Sequence, residues 1–141
     1  MDAAKLNITF ESDFKNVDTA RAAIRDRCRD FFNKPESEPL IEDFCIASTE
    51  AINNAVEHSG AQLIEVELLL DNKEALLRII TAGEKFDPTA EVSMPGFDND
   101  GELPEGGFGL AIIHELADDT DYEYINGKNI LTLKKVLSNK G

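Results

Sequence analysis

The sequence predicts an α+β domain, a two-layer sandwich in which a mostly antiparallel sheet carries about three helices on one face. Several short segments alternate apolar and polar residues, as half-buried strands do. Longer segments repeat apolar residues at steps of three and four, which is typical of helices that bury one side. The order is strand, two helices, two strands, an aperiodic stretch, one helix and two strands. We therefore expect a single domain over residues 1–141.

The first elements are a strand and two helices. Residues 6–10 alternate in polarity and predict a short strand. Apolar residues at helical spacing then predict a helix over about residues 14–33 and a second over about 39–58, separated by the two prolines of residues 34–39. Gly60 follows as a residue suited to ending the second helix.

A hairpin is predicted next, with strands over residues 63–70 and 75–80 around a polar turn. From residue 81 to residue 107 the periodicity disappears. A segment of this length inside a compact domain is usually a functional lid or disordered.

Regular structure is predicted again beyond the aperiodic segment. Apolar residues at helical spacing indicate a third helix over about residues 109–118. Residues 122–125 and 130–136 then predict a closing hairpin, because Asn126 and Gly127 between them are the preferred residues of a type I′ turn.

The charge of the chain limits its partners. It has 28 acidic and 14 basic residues and a formal net charge of −14. Such a charge repels phosphate backbones and anionic membranes, so we expect no direct binding to nucleic acid or lipid. It also repels ATP unless the local site compensates.

The cysteine content and hydropathy predict a cytoplasmic protein. Cys28 and Cys45 both lie within helical apolar patterns, where buried free thiols are expected. No segment approaches the roughly 18 apolar residues that cross a bilayer. Residues 1–5 lack the charged-then-apolar order of a signal peptide.

The second predicted helix carries the first candidate site. Glu50 and Asn54 are four residues apart and so share one side of the helix. A carboxylate beside a carboxamide, flanked by alanines that let a ligand approach, suits a general base next to a metal-binding oxygen. The alternative is that both residues belong to an ordinary solvated helix face.

The second candidate site lies where a predicted strand ends. Residues 79–88 run from the strand through Gly83 to an aromatic residue and a turn, as expected where the backbone approaches a flat ligand. The alternative is an ordinary strand end followed by a loop.

The third candidate site is the glycine-rich entry to the third helix, over residues 106–113. Such an entry presents free backbone N–H groups and the positive end of the helix dipole to an anion. A merely flexible helix entry is the alternative. The segment is not a Walker motif, because no lysine follows the glycines.

In order and spacing, the three segments resemble the N, G1 and G2 boxes of the GHKL ATPases, and the resemblance extends over nearly the whole chain. Residues 50–58 and the Phe86-Asp87-Pro88 tail of the second box are similar to one branch, the anti-sigma-factor serine kinases. The resemblance implies the GHKL (Bergerat) ATP-binding fold, ATP and Mg²⁺ as cofactors, and a lid loop over about residues 88–106.

The resemblance also implies roles for individual residues. Glu50 would be the general base that takes the proton of a substrate serine, and Asn54 would hold Mg²⁺ through its side-chain oxygen. Gly83 would permit the close approach of adenine. The other positions implied in nucleotide binding are Thr81, Lys85, Gly107, Phe108, Gly109 and Leu110.

Three features depart from the family pattern. Thr81 stands in place of an aspartate that receives the amino group of adenine, and a neutral acceptor is weaker than a charged one. Lys85 replaces a glycine, where it either neutralises phosphate or blocks the pocket. The segment between Phe86 and Gly107 contains several acidic residues but neither lysine nor arginine, so we expect weak ATP binding.

By this resemblance the chain is an ATP-dependent regulator that sequesters a sigma factor and phosphorylates a serine of a small antagonist protein, with a homodimer as a possible assembly. The alternative is a protein-binding module that keeps the fold without useful catalysis. A third hypothesis, the ATP-binding half of a split histidine kinase, is disfavoured because neither His58 nor His114 lies on a phosphoacceptor helix.

Overall fold

The computed structural model describes residues 3–85 and 107–138. The predicted order of elements is confirmed. The strands and helices are β1 (Ala3–Glu11), α1 (Val17–Phe32), α2 (Glu38–His58), β2 (Leu63–Asp71), β3 (Glu74–Ala82), α3 (Gly107–Leu116), β4 (Asp119–Ile125) and β5 (Lys128–Val136). The predicted lid over residues 88–106 lies outside the described residues.

The described strands form one antiparallel sheet in the order β1-β2-β3-β5-β4. The pairing of β3 with β5 joins the two hairpins that the sequence predicts. In this register Thr81 of β3 lies directly opposite Asn129 of β5. Residues that face each other in this way point to the same side of the sheet, so both lie on the same face.

The three helices pack on one face of the sheet, as the sequence predicts, because burial alternates along the strands. In β2 and β3 every second residue is buried, from Ile64 to Leu70 and from Ala75 to Thr81. These side chains meet α1 and α2, whose most buried members include Ile24 and Phe44. The fold class predicted from periodicity is thus confirmed.

Several element boundaries differ from the prediction. A short 3-10 helix, Phe14–Asn16, precedes α1, and a second, Pro35–Ser37, leads into α2. The third helix begins at Gly107, two residues before the predicted start at Gly109. Glycine has no side chain, so apolar periodicity does not mark a first turn that begins at Gly107 and includes Gly109.

Two local predictions are confirmed. Asn126 and Gly127 both have positive φ, at 54° and 76°, as a type I′ turn requires. Cys28 and Cys45 are free and buried, and burial raises the pKa of both thiols. Thiols in such surroundings stay protonated at neutral pH and are poor nucleophiles. Among the helices of residues 3–85 and 107–138, none is both long and apolar enough to cross a membrane.

Candidate functional site

Helix α2 positions the first candidate pair. Glu50 and Asn54 are half-buried, whereas their neighbours Ala51 and Ala55 are buried against the sheet. The pair therefore lies at the border between the packed and the open side of the helix. Within the part of the chain that the structure describes, neither side chain is engaged in a hydrogen bond or ion pair. Both polar groups are available to a ligand.

A small cavity lies between α2 and the sheet, beside this pair. Its volume is about 10 Å³, the space of roughly one water molecule. Most of its wall is apolar, and three polar side chains stand at one end. The residues that line it are Ala51, Ala55, Ile79, Thr81, Tyr122, Asn129 and Leu131. A cavity of this size can hold one water molecule, whereas pockets for small organic ligands measure roughly 300–1,000 Å³.

The polar end of the cavity is built by β3, β4 and β5. Thr81 is 3% exposed, and Asn129 opposite it is also 3% exposed. The hydroxyl of Tyr122 donates a hydrogen bond to Oδ1 of Asn129. The side-chain amide of Asn129 donates in turn to the backbone carbonyl of Glu84, at 2.9 Å. This chain of bonds fixes the orientation of the amide at the cavity.

The loop after β3 is held by the closing hairpin. Gly83 has φ of 144°, a conformation that favours glycine. Its N–H donates to the carbonyl of Gly127 at 2.9 Å, and its own carbonyl accepts from the hydroxyl of Tyr124 at 2.8 Å. A Cβ at Gly83 would stand 4.0 Å from the carbonyl oxygen of Ser59, at the end of α2. Glycine is required here by backbone conformation rather than by lack of space.

Helix α3 begins with the glycines of the third candidate site. Gly107 is its first residue and Gly109 lies in its first turn, together with Phe108 and Leu110. The helix packs on α2, and its Ile113 belongs to the core. At the other end, Nζ of Lys135 donates to the carbonyl of Leu116 at 2.6 Å, which satisfies a terminal carbonyl of the helix. The N–H groups of the first turn are the ones that can bind an anion.

Lys85 is the last residue described before the predicted lid, and it is exposed. It is not among the residues that line the cavity. Both predicted roles of Lys85, to neutralise phosphate or to block the pocket, stay predictions.

The residues present suit Mg²⁺ held mainly by a substrate. Residues 3–85 and 107–138 contain no cluster of three histidine, cysteine or carboxylate side chains that could hold a metal by themselves. Mg²⁺ usually keeps several waters and takes one or two protein oxygens together with phosphate oxygens. The unengaged carboxamide of Asn54 can supply such an oxygen.

Sequence reasoning missed Tyr122, Tyr124 and Asn129. One signal for Asn129 was available, because it occupies an inward position of β5 where the following inward residues, Leu131 and Leu133, are apolar. Nothing in the periodicity indicates that the two tyrosines contact the loop after β3 or the residues beside it, since those contacts depend on the order of strands in the sheet.

The sequence is similar to proteins of one known family. The model of the histidine kinase-like ATPase domain matches residues 10–135. Serine-protein kinase RsbW of Staphylococcus epidermidis is 33% identical over 105 residues, which cover 68% of this chain and 66% of the relative. Serine-protein kinase RsbW of Listeria monocytogenes serovar 1/2a is 34% identical over 108 residues, covering 71% of this chain and 69% of the relative.

A solved structure shares the fold. The crystal structure of the RsbU and RsbW domains of Rv1364c from Mycobacterium tuberculosis superposes with a TM-score of 0.66 at 21% identity, over 94% of this chain and 32% of that one. The five-stranded sheet with its three helices is thus an arrangement seen before, within a longer chain.

Proposed function

Since this chain belongs to the family of histidine kinase-like ATPase domains, we propose that it binds Mg²⁺-ATP and phosphorylates a serine of a partner protein, as an anti-sigma-factor-type regulator. The observation that carries the proposal is the composition of one helix. Positions 50–55 of α2 hold an unengaged carboxylate, an unengaged carboxamide and the two alanines that line the cavity. A nucleotide bound beside this stretch of α2 would lie close to both a proton acceptor and a metal ligand.

Glu50 is the proposed general base. In the transfer, the serine oxygen forms a bond to the γ-phosphorus of ATP, and the bond from that phosphorus to the bridging oxygen of ADP breaks. The carboxylate of Glu50 accepts the proton that the serine hydroxyl loses. A carboxylate at the border of the packed face is reachable by a protein substrate, which supports this role.

Asn54 is the proposed protein ligand of Mg²⁺, which neutralises charge on the phosphates when bound. The glycine-rich first turn of α3 is proposed to receive phosphate oxygens, and Lys85 to add a positive charge nearby. The predicted lid over residues 88–106, within a single domain of residues 1–141, is proposed to cover the nucleotide. Because the chain carries a net charge of −14, these contacts must offset a repulsive field.

The proposed protein partners follow from the named relatives, and this chain matches 66% of the length of the first of them. By resemblance they are a sigma factor, which the chain would sequester, and the small antagonist protein that carries the substrate serine. The chain would bind both partners in the cytoplasm.

A homodimer is proposed through the face of the sheet opposite the helices. Ile80 and Ile130 lie side by side on that face and are half-buried, and Ile125 is 45% exposed. The described helices all pack on the other face, and a contiguous apolar patch on this one would favour contact with another protein surface. Sedimentation of the wild type and of Ile130→Glu tests the assembly, since a dimer through this face would dissociate in the variant.

Two measurements test the proposed function. A ligand that binds only the folded state raises the melting temperature, so millimolar Mg²⁺-ATP should stabilise the protein. Incubation with γ-labelled ATP and candidate antagonist proteins should then transfer label to a serine. Stabilisation without transfer to any antagonist would favour the non-catalytic binding module, and the absence of both would contradict nucleotide binding.

A further inference from the structure

We propose that Lys135 is a positioning residue for phosphate binding, which holds helix α3 in the position that lets its glycine-rich first turn bind phosphate. The inference rests on the proposed function, in which that turn receives phosphate oxygens. Lys135 lies on β5, and its Nζ donates to the backbone carbonyl of Leu116, the last residue of α3, at 2.6 Å. The lysine acts through the helix, because it bonds the end that lies away from the glycines.

Lys135 occupies an inward position of β5. The strand alternates, so Leu131, Leu133 and Lys135 all point towards the helices, and Lys135 is only 7% exposed. A leucine or a methionine would suit the packing there, whereas an ammonium costs free energy to bury unless it is paired. What the ammonium supplies, and an apolar side chain does not, is a hydrogen bond to the end of α3.

The carbonyl of Leu116 is a suitable partner for this ammonium. The last four carbonyls of a helix have no intrahelical partner, and the helix end carries a partial negative charge of roughly half a unit. A cation bonded there is stabilised by that charge, and the carbonyl gains the partner that it lacks. The bond therefore fixes the C-terminal end of α3 against β5.

Helix α3 depends on this bond for its tie to the sheet. Its backbone comes close to that of α2 but, among the described residues, hardly to that of any strand. Beyond the helix, the N–H of Asp118 donates to the carbonyl of Lys134 at 2.8 Å, and Oδ2 of Asp118 accepts from the N–H of Val136 at 2.6 Å. Those two bonds hold the residues after α3, whereas the bond from Lys135 reaches the helix itself.

The length of the helix carries the effect to the glycines. α3 has 10 residues, Gly107–Leu116, and at 1.5 Å per residue it is about 15 Å long. A helix of that length moves as a stiff body, so a tilt or slide at one end displaces the other. A displacement of about 1 Å at the first turn would stretch an N–H···O bond from about 2.9 Å to nearly 4 Å, where it no longer holds a phosphate oxygen.

Titrations of Mg²⁺-ATP and of adenosine, followed in NMR spectra, test the inference on the wild type and on Lys135→Met. Methionine keeps the apolar stem and loses the bond to Leu116. We expect the dissociation constant of ATP to rise by about tenfold, the loss of roughly one hydrogen bond to a charged group. Adenosine should bind within about twofold of the wild type, because it has no phosphate for the first turn of α3.

Three further variants separate positioning from charge and from stability. Lys134→Met removes the same charge from the neighbouring residue, whose side chain lies on the other face of β5 and pairs with Glu74 at 3.8 Å, and should bind ATP like the wild type. Lys135→Arg keeps a charged donor and should retain ATP affinity within about threefold. Lys135→Gln is shorter by one bond and uncharged, so it should weaken ATP as Lys135→Met does, and it replaces that variant if methionine prevents folding.

The spectra without nucleotide give a second readout. If the lysine positions the helix, the amide signals of Gly107 and Gly109 should shift in Lys135→Met and stay in place in Lys134→Met. A variant that only loses stability would melt at a lower temperature with those signals unchanged.

Each contrary result has a distinct meaning. ATP affinity within about twofold of the wild type in a folded Lys135→Met, or unshifted glycine amides, would overturn the inference and leave the proposed function standing. An equal loss for ATP and adenosine, or an equal loss of ATP affinity in Lys134→Met, would also overturn it, since neither follows from the position of α3. A wild type that does not bind ATP would overturn the proposed function, and the inference with it.

Discussion

The hydroxyl of Tyr124 in β4 donates a 2.8 Å hydrogen bond to the backbone carbonyl of Gly83, 41 residues earlier in the chain. Because this bond holds the loop after β3, we expect Tyr124→Phe to weaken nucleotide binding by about fivefold while the melting temperature changes little. Calorimetry with Mg²⁺-ATP measures the effect. Glu123→Gln is the matched control, since Glu123 is exposed on the other side of the same strand. Equal loss in both variants would point to a general disturbance of strand β4 instead.

Gly83 itself is predicted to be intolerant of a side chain. At φ of 144° an L-residue is strained even where space is open, so Gly83→Ala should lower the free energy of unfolding by about 1–3 kcal/mol. Urea denaturation measures it. Gly127→Asn is the comparison, because asparagine tolerates the left-handed conformation at φ of 76° and should cost less than about 1 kcal/mol. The reverse ranking of the two variants would contradict the backbone argument.

Glu50→Gln should abolish phosphotransfer and leave ATP binding largely intact. The amide keeps the shape of the side chain but cannot take the serine proton, and loss of a general base typically costs about 10²–10⁴-fold in rate. Transfer of label from γ-labelled ATP and calorimetry measure the two properties separately. Glu57→Gln, an exposed glutamate on the same helix, should remain active. An active Glu50→Gln would remove Glu50 from the proposed role.

Asn54→Ala should impair the Mg²⁺-dependent part of nucleotide binding. The wild type should bind ATP more weakly after chelation of Mg²⁺, and the variant should lose most of that difference, because the carboxamide oxygen is the proposed protein ligand. Asn53→Ala is a close control, since Asn53 is also half-buried and adjacent. A variant that responds to Mg²⁺ like the wild type would show that the metal is held without Asn54.

The strands and helices could be predicted from the sequence because their residues alternate or recur with the period of the element. In β3, for example, Ala75, Leu77 and Ile79 are buried and their neighbours are not. The pairing of Glu50 with Asn54 on one side of α2 follows in the same way from helical spacing. These features are local, so a short stretch of sequence contains the information.

The polar end of the cavity could not be predicted, because it depends on the position of β5 between β3 and β4. That order brings Asn129 opposite Thr81 and sets Tyr122 beside both. Hairpin signals indicate that β4 and β5 pair with each other, but they do not indicate which of the two borders β3. The start of α3 at Gly107 was likewise missed, because apolar periodicity does not mark the first turn of a helix.

The hydrogen bond from the side-chain amide of Asn129 to the carbonyl of Glu84 joins two residues that are 45 positions apart in the chain. We therefore expect the cavity beside Asn129 to form late in folding. Contacts between distant parts of a chain must overcome the entropy of closing a long loop, so they tend to form slowly. During synthesis α2 and β3 leave the ribosome before β5, so the side of the cavity that β5 supplies is completed last. On the proposed function, a nucleotide would bind only a chain whose sheet is complete, and by binding it would withdraw that chain from the pool still exposed to chaperones and proteases.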